Sequence, residues 1–260
     1  MLLKNRVRLW MQGVVVLSWF LCHSSLAAAF DFSDWDALVK KHVKTTTIDG
    51  VTLNAIAYMD LKADPGFKRV VNGLKIASLD DLKIQEEKLS FWINVYNILA
   101  AKVVVDNYPV ESIKDVGSFL KPVWKRPAGV VAGEERTLDE VEHEILRKMG
   151  DPRIHVAIVC ASVSCPDIRK EVYTAERLNE QLDDQMRKFL ENKEKGLRVD
   201  KKKKRIYLSA IFKWFKEDFD SQGGVISFVS QYVSPSEKKD FQEFGRNLKY
   251  LDYNWDLNKL

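Results

Sequence analysis

The chain has 260 residues, 46% of them hydrophobic and 30% charged, with 41 Lys or Arg against 37 Asp or Glu. That balance belongs to a globular protein and excludes a disordered or acidic-tail protein. Cys22, Cys160 and Cys165 are too few for a small cysteine-stapled scaffold.

Lys4, Arg6 and Arg8 precede an almost uncharged apolar run from Trp10 to Cys22, and Leu26-Ala27-Ala28-Ala29 supplies small residues beyond it. This order predicts a cleaved secretory signal peptide over 1–29, then a single globular domain over 30–260 in the periplasm or outside the cell. The signal segment holds three basic residues and no acidic one, which leaves 38 basic against 37 acidic residues in the remainder. Such near-neutrality argues against a nucleic-acid partner. The run Lys201-Lys202-Lys203-Lys204-Arg205, between Val199 and Ile206, reads as a solvated hairpin turn.

Ser33 is placed to cap a first helix that buries Trp35, Leu38, Val39, His42 and Val43. Asp49-Gly50 reads as a turn into a strand from Val51. Tyr58 to Leu74 has helical periodicity, restarted at Asp64-Pro65. Leu89 to Val105 is the most apolar stretch and predicts a central buried helix. Ser90, Asn94, Asn97 and Ala101 share one of its faces, and buried amides there need partners. Lys102 and the two amides argue against stable membrane insertion. Thr137 opens a helix closed by Gly150, and Arg153 to Cys160 reads as an interior strand. Thr174 and Ser209 open further helices, and Ser234-Pro235 another. Phe212, Trp214, Phe215 and Phe219 are expected to dock on the central helix. The aromatic segment Leu248 to Leu257 is expected to dock on the fold. The pattern is helix-rich α+β in one domain, the central buried helix packed on a small antiparallel or mixed sheet.

The chemically dense stretch runs from Arg153 to Pro166 and holds His155, Cys160 and Cys165. Two readings of the cysteines stand. A disulfide would close a short loop, as an oxidising compartment allows. A free Cys165 beside an imidazole would be a nucleophile. In the second reading His155 or His143 is the base, Glu142 orients it, and Asn94 or Asn97 donates to an oxyanion or holds the loop. A zinc set of His143, His155 and Cys165 is chemically allowed but matches no metal-motif spacing, so neither a metal nor a cofactor is expected. The sequence has no Gly-rich phosphate loop.

Several stretches resemble the bacterial and plant family catalogued as domain of unknown function 547. They are Phe91-Trp92-Ile93-Asn94-Val95-Tyr96-Asn97, Val141 to Arg147, Arg153 to Pro166, Phe212 to Phe219 and Tyr253 to Asn258. Together they span roughly Phe91 to Asn258, with Asn254 standing where an acidic residue is expected. The family resemblance implies no activity. A looser, fold-level resemblance is to papain-like and transglutaminase-like cysteine enzymes, whose nucleophile starts the buried helix; here that helix carries Asn94 and no Cys. The sequence therefore leads to a cysteine-dependent hydrolase or acyltransferase acting on peptide or amide bonds. The alternative is a non-enzymatic envelope domain with a Cys160–Cys165 bridge, binding a peptide, a polymer or an envelope protein. N-terminal sequencing of the exported protein is expected to begin near Phe30. An intact Met1, or recovery only with membranes after a high-salt wash, would overturn the signal-peptide reading.

Overall fold

A computed structural model describes residues 30–260, so the expected signal peptide at 1–29 lies outside the described residues. Apolar side chains cover every face of α4 (Gln85–Asn107), and a helix of that kind must be enclosed on all sides. Phe91, Trp92, Ile93, Val95, Tyr96, Ile98 and Leu99 are all buried. The helix is longer than the apolar run predicts. Its first turn is polar and is fastened by Glu87, whose carboxylate accepts the N–H groups of Lys83 (2.6 Å) and Ile84 (3.1 Å). Pro109 has no N–H to give, and extended backbone at Tyr108 ends the helix. At 23 residues α4 is long and apolar enough to cross a membrane by length and composition, and 89% of its 18-residue apolar stretch is buried within the fold.

Four helical and hairpin elements wrap α4: α1 (Ser33–His42), α2 (Tyr58–Ala63), α3 (Pro65–Leu74) and the hairpin β3–β4 (Pro127–Val131, Glu134–Thr137). Asp64 starts α3 as expected, its side chain accepting the Gly66 N–H. Ser33 does not cap α1; Asp31 does, accepting the Ser33 N–H at 2.8 Å. The turn at Asp49-Gly50 joins two strands, not a helix and a strand: β1 (Val43–Ile48) pairs antiparallel with β2 (Val51–Ile56). Asp49 (φ 49°) and Gly50 (φ 81°) both take left-handed backbone, which suits the twist of a two-residue hairpin. The β-branched run of β1 explains why helical periodicity stops at His42.

The chain from Arg153 is not an interior strand. Asp151 accepts the Arg153 N–H (2.9 Å) and begins a single helical turn, α5 (Ile154–Ala157). Extended backbone follows at Ile158. Among the described residues no strand lies alongside it. Asn97 on α4 takes the place of one, donating to the Ala157 carbonyl (3.0 Å) and accepting the Val159 N–H (2.9 Å). Asn94 does the same for Tyr173, donating to its carbonyl (2.8 Å) and accepting its N–H (3.0 Å). These are the partners that buried amides require.

A second apolar cluster forms beyond α5. It joins Val156 to α6 (Leu178–Glu191), β5 (Leu197–Asp200), β6 (Arg205–Leu208), α7 (Ile211–Trp214), α8 (Gly224–Val229) and α9 (Pro235–Phe244). Phe212 and Phe219 belong to this cluster and not to the surface of α4, which corrects the sequence expectation. The reason is local: a single turn of α7 passes into the 3-10 segment Lys216–Gln222, so the four aromatics do not share one helical face. The lysine run forms the β5–β6 turn, and β7 (Leu248–Tyr250) adds in parallel to β6 to complete a three-stranded mixed sheet. The remaining C-terminal residues form a strap. Val163 donates to Asp256, Asn258 to Ala161 and Ile56 to Asn258, while the Tyr58 hydroxyl reaches the Asn258 side chain at 2.7 Å.

Asn94→Ala and Asn97→Ala each strip two hydrogen bonds and leave buried backbone groups unpaired. Each is expected to cost on the order of 2–4 kcal/mol in urea unfolding. Loss of less than the cost of one exposed hydrogen bond would show that neither amide bears on folding.

Candidate functional site

His155, the first imidazole of the dense stretch, lies on α5 with its side chain 1% exposed. Its Nε2 meets Asp218 Oδ2 at 2.7 Å. Arg147 grips the same carboxylate with two donors, Nε to Oδ2 (2.7 Å) and Nη2 to Oδ1 (2.6 Å). Burial alone would raise the Asp218 pKa, but the Arg147 and His155 bonds hold it well below the usual carboxylate range. An ionised Asp218 makes His155 Nε2 the donor and assigns the imidazole proton there. Burial, outweighing Asp218, lowers the His155 pKa and keeps the ring neutral. Nδ1 is therefore an acceptor. It has no hydrogen-bond partner among the described residues. The Phe215 ring stacks on the imidazole at 3.9 Å and 16°.

Glu142 and His143 lie on a π-helical segment, Glu140–Leu146, where the sequence predicts an ordinary helix. Thr137 does fasten its start, accepting the Glu140 N–H at 3.0 Å. Such wide turns are frequent at functional sites. Val141 and Leu146 face the core. Glu142 Oε1 comes within 4.0 Å of His155 Nδ1, and the Tyr96 hydroxyl donates to Oε2 at 3.3 Å. Burial pushes the Glu142 carboxyl up to about 7, against the Tyr96 bond and the charge of Arg147. His143 sits at the rim, 35% exposed, with Nδ1 accepting from Arg147 at 2.9 Å.

Cys160 and Cys165 form a disulfide. The expectation of a free Cys165 nucleophile is corrected by this bridge, and with it the zinc set that used Cys165. The Tyr253 hydroxyl lies 3.2 Å from each sulfur and accepts from Ser162 Oγ at 3.1 Å. Among the described residues no group of three or more His, Cys, Asp or Glu is arranged to hold a metal ion.

These groups meet in one cavity of about 310 Å³, which His143, His155, Glu142 and both cysteines line together with Asp139 and Tyr96. Its other wall is aromatic: Trp124, Trp214, Phe215, Tyr253 and Trp255. Trp214 and Trp255 stack at 5.7 Å, with Tyr253 at 4.8 Å and 4.6 Å from them. Asn94 and Asn97 do not line this cavity; they hold the loops behind it. Sequence reasoning missed Asp218, Tyr253, Trp214 and Trp255 as site residues. Two quoted stretches, Phe212 to Phe219 and Tyr253 to Asn258, contained them all. The departure at Asn254 falls outside the lining; its side-chain Oδ1 accepts the Asp256 N–H at 2.8 Å and shapes the strap.

Residues 79–190 match the family described as "Protein of unknown function, DUF547". No curated protein and no solved structure matches the chain. The looser resemblance to papain-like and transglutaminase-like enzymes gains no structural support, and the bridged cysteines remove the thiol on which it leaned.

The raised Glu142 pKa has a sign for stability. Between pH 4.5, its ordinary value, and about 7, the folded protein holds a proton that the unfolded chain has lost. Stability therefore falls as pH rises through that window. Glu142→Gln cannot ionise and escapes this loss. Its unfolding free energy relative to the wild type is expected to grow by on the order of 2–3 kcal/mol between about pH 4.5 and about pH 8. A difference that does not change with pH would contradict a carboxyl held neutral by burial.

Proposed function

We propose that the chain is a non-enzymatic binding domain, acting in the cell envelope or outside the cell, that holds a short peptide segment in the aromatic cavity. The observation that carries this reading is the make-up of the cavity: an aromatic wall facing a few buried polar groups, beside a cysteine pair that offers no thiolate. Recognition sites have this composition, apolar surface for affinity and a few placed polar groups for orientation. At about 310 Å³ the cavity takes one or two side chains and not a large cofactor. The thiol-dependent catalytic reading needs a free nucleophile, and the residue expected to supply it is bridged. The bridge also supports export, since disulfides persist in oxidising compartments.

Thiol titration of the folded, unreduced protein beginning at Phe30 is expected to find no reactive cysteine. Peptides screened by tryptophan fluorescence are expected to bind, and Trp214→Ala to weaken them about tenfold through loss of aromatic contact. Two reactive thiols, or binding indifferent to Trp214, would reject the reading.

A further inference from the structure

Two polar groups of the cavity lining act together as acceptors once Glu142 is ionised. His155 Nδ1 is a buried lone pair without a partner among the described residues. Glu142 Oε1 stands 4.0 Å away, and its sister oxygen is occupied by the Tyr96 hydroxyl. Asp139 lines the same space, and among the described residues no Lys or Arg does. Arg147, the nearest guanidinium, is matched by Asp218. The site asks for a donor with at least two hydrogens.

Geometry narrows the class. An atom at ordinary hydrogen-bond distance from two acceptors so spaced subtends about 90° between them, within tolerance for tetrahedral hydrogens. A hydroxyl has one hydrogen and satisfies one acceptor. An ammonium has three and no lone pair to clash with either. The opposite wall suits what an ammonium carries. Trp214, Tyr253 and Trp255 form a continuous aromatic surface on which an aliphatic stem can lie and toward which a cation is drawn. Trp255 already receives one: Lys114 Nζ lies 4.8 Å from its ring centre.

We propose that the cavity seats a primary ammonium group on an aliphatic stem, its nitrogen bridging His155 Nδ1 and Glu142 Oε1 and its stem lying on the Trp214–Trp255 face. The proposal rests on the binding reading above and names the group that the bound peptide presents. A peptide can bring this group as a lysine-type side chain or as its own amino terminus.

Binding is linked to protons. Glu142 is faced by Tyr96 from α4, by His143 from its own helical segment, by Asp139 and Arg147 at that segment's two ends, by His155 from α5, by Asp218 from the 3-10 segment and by Tyr253 from the strap. A cation favours the ionised carboxylate, so the proton must leave on binding. Affinity rises with pH below about 7, the Glu142 value, and flattens above it. A lysine-type amine stays charged throughout, whereas an α-amino group begins to lose its charge near pH ~8.

The test uses the folded protein and the tetrapeptide Ala-Ala-Lys-Ala in four forms: unmodified, acetylated at the amino terminus, acetylated at the lysine, and acetylated at both. Calorimetry and tryptophan fluorescence are read at about pH 6 and about pH 8. At least one form with a free amine is expected to bind about tenfold or more tighter than the doubly acetylated peptide. Glu142→Gln is expected to remove that preference and its pH dependence. If only the lysine amine matters, the side chain is the source; if only the terminal amine matters, the terminus is. Equal binding of all four forms overturns the ammonium seat and leaves the binding reading standing. Absence of binding by every form overturns both.

Discussion

Two carboxamides on the central helix fix where the rest of the site can be. Asn94 and Asn97 each give one donor and one acceptor to a backbone segment remote in sequence, as a neighbouring strand would. A buried peptide group left unpaired costs more than a hydrogen bond gains. The loops after α5 and around Tyr173 therefore have one low-energy course, set by the register of α4. Asn97 holds Ala157 and Val159, so His155 two residues before and Cys160 one residue after inherit its position. The expected oxyanion donors are thus structural groups, and their effect on the cavity is indirect.

A second constraint is electrostatic. Asp218 is shared by Arg147 and His155, and Arg147 also meets His143. Removing charges from water is costly unless each finds a well-shaped partner. Here the bidentate grip leaves Asp218 ionised, and the ionised carboxylate fixes the imidazole tautomer. Among the described residues no such cation contacts Glu142. Burial outweighs the Tyr96 bond, and its carboxyl titrates near neutrality, at about 7. Two acidic side chains of one cavity region thus differ widely in proton affinity because only one of them is gripped by arginine.

Much of the fold was legible in the sequence. The all-round apolar pattern of Leu89 to Val105 gave the buried helix. Asp49-Gly50 gave a turn, though not the strand before it, the lysine run gave a hairpin turn, and Asp64-Pro65 and Ser234-Pro235 gave helix starts that Asp64 and Ser234 do cap. The misreadings share a cause. Alternating Ile154, Val156 and Ile158 looks like a strand, yet strand identity depends on a partner. The partner here is a side chain on α4. The π-helical widening at Glu140–Leu146 leaves no mark in apolar spacing over so short a stretch. The cysteine pair was undecidable locally, because a separation of 5 residues permits both a bridge and free thiols. The loop course brings their Cα atoms to 6.2 Å and decides it. Asp218 was hidden for a similar reason. It lies among Lys216, Glu217 and Asp220, and nothing in that charged run marks the one carboxylate that turns inward.

The aromatic wall is built differently from the acceptors it faces. Glu142, His155 and the disulfide ride on segments tied directly to α4. Tyr253 and Trp255 lie on an extended strap with no helix or sheet of its own beyond β7. An extended chain stays in one place only if its backbone is paired on both sides of these two aromatics. That condition is met. Leu251 donates to Leu208 before them, and Asn258 exchanges hydrogen bonds with Ala161 and Ile56 after them. Between these anchors Asn254 is tied to Ser164 at 2.9 Å, in the loop that follows the disulfide half-cystine Cys160 and ends at Cys165. The strap is thus fastened to the bridge loop itself. A bridge that fixes this loop also fixes the ring positions of Tyr253 and Trp255, which lowers the ordering cost of any ligand that lies on them. In this fold the disulfide closes the loop to which the strap is tied, and so steadies the aromatic wall.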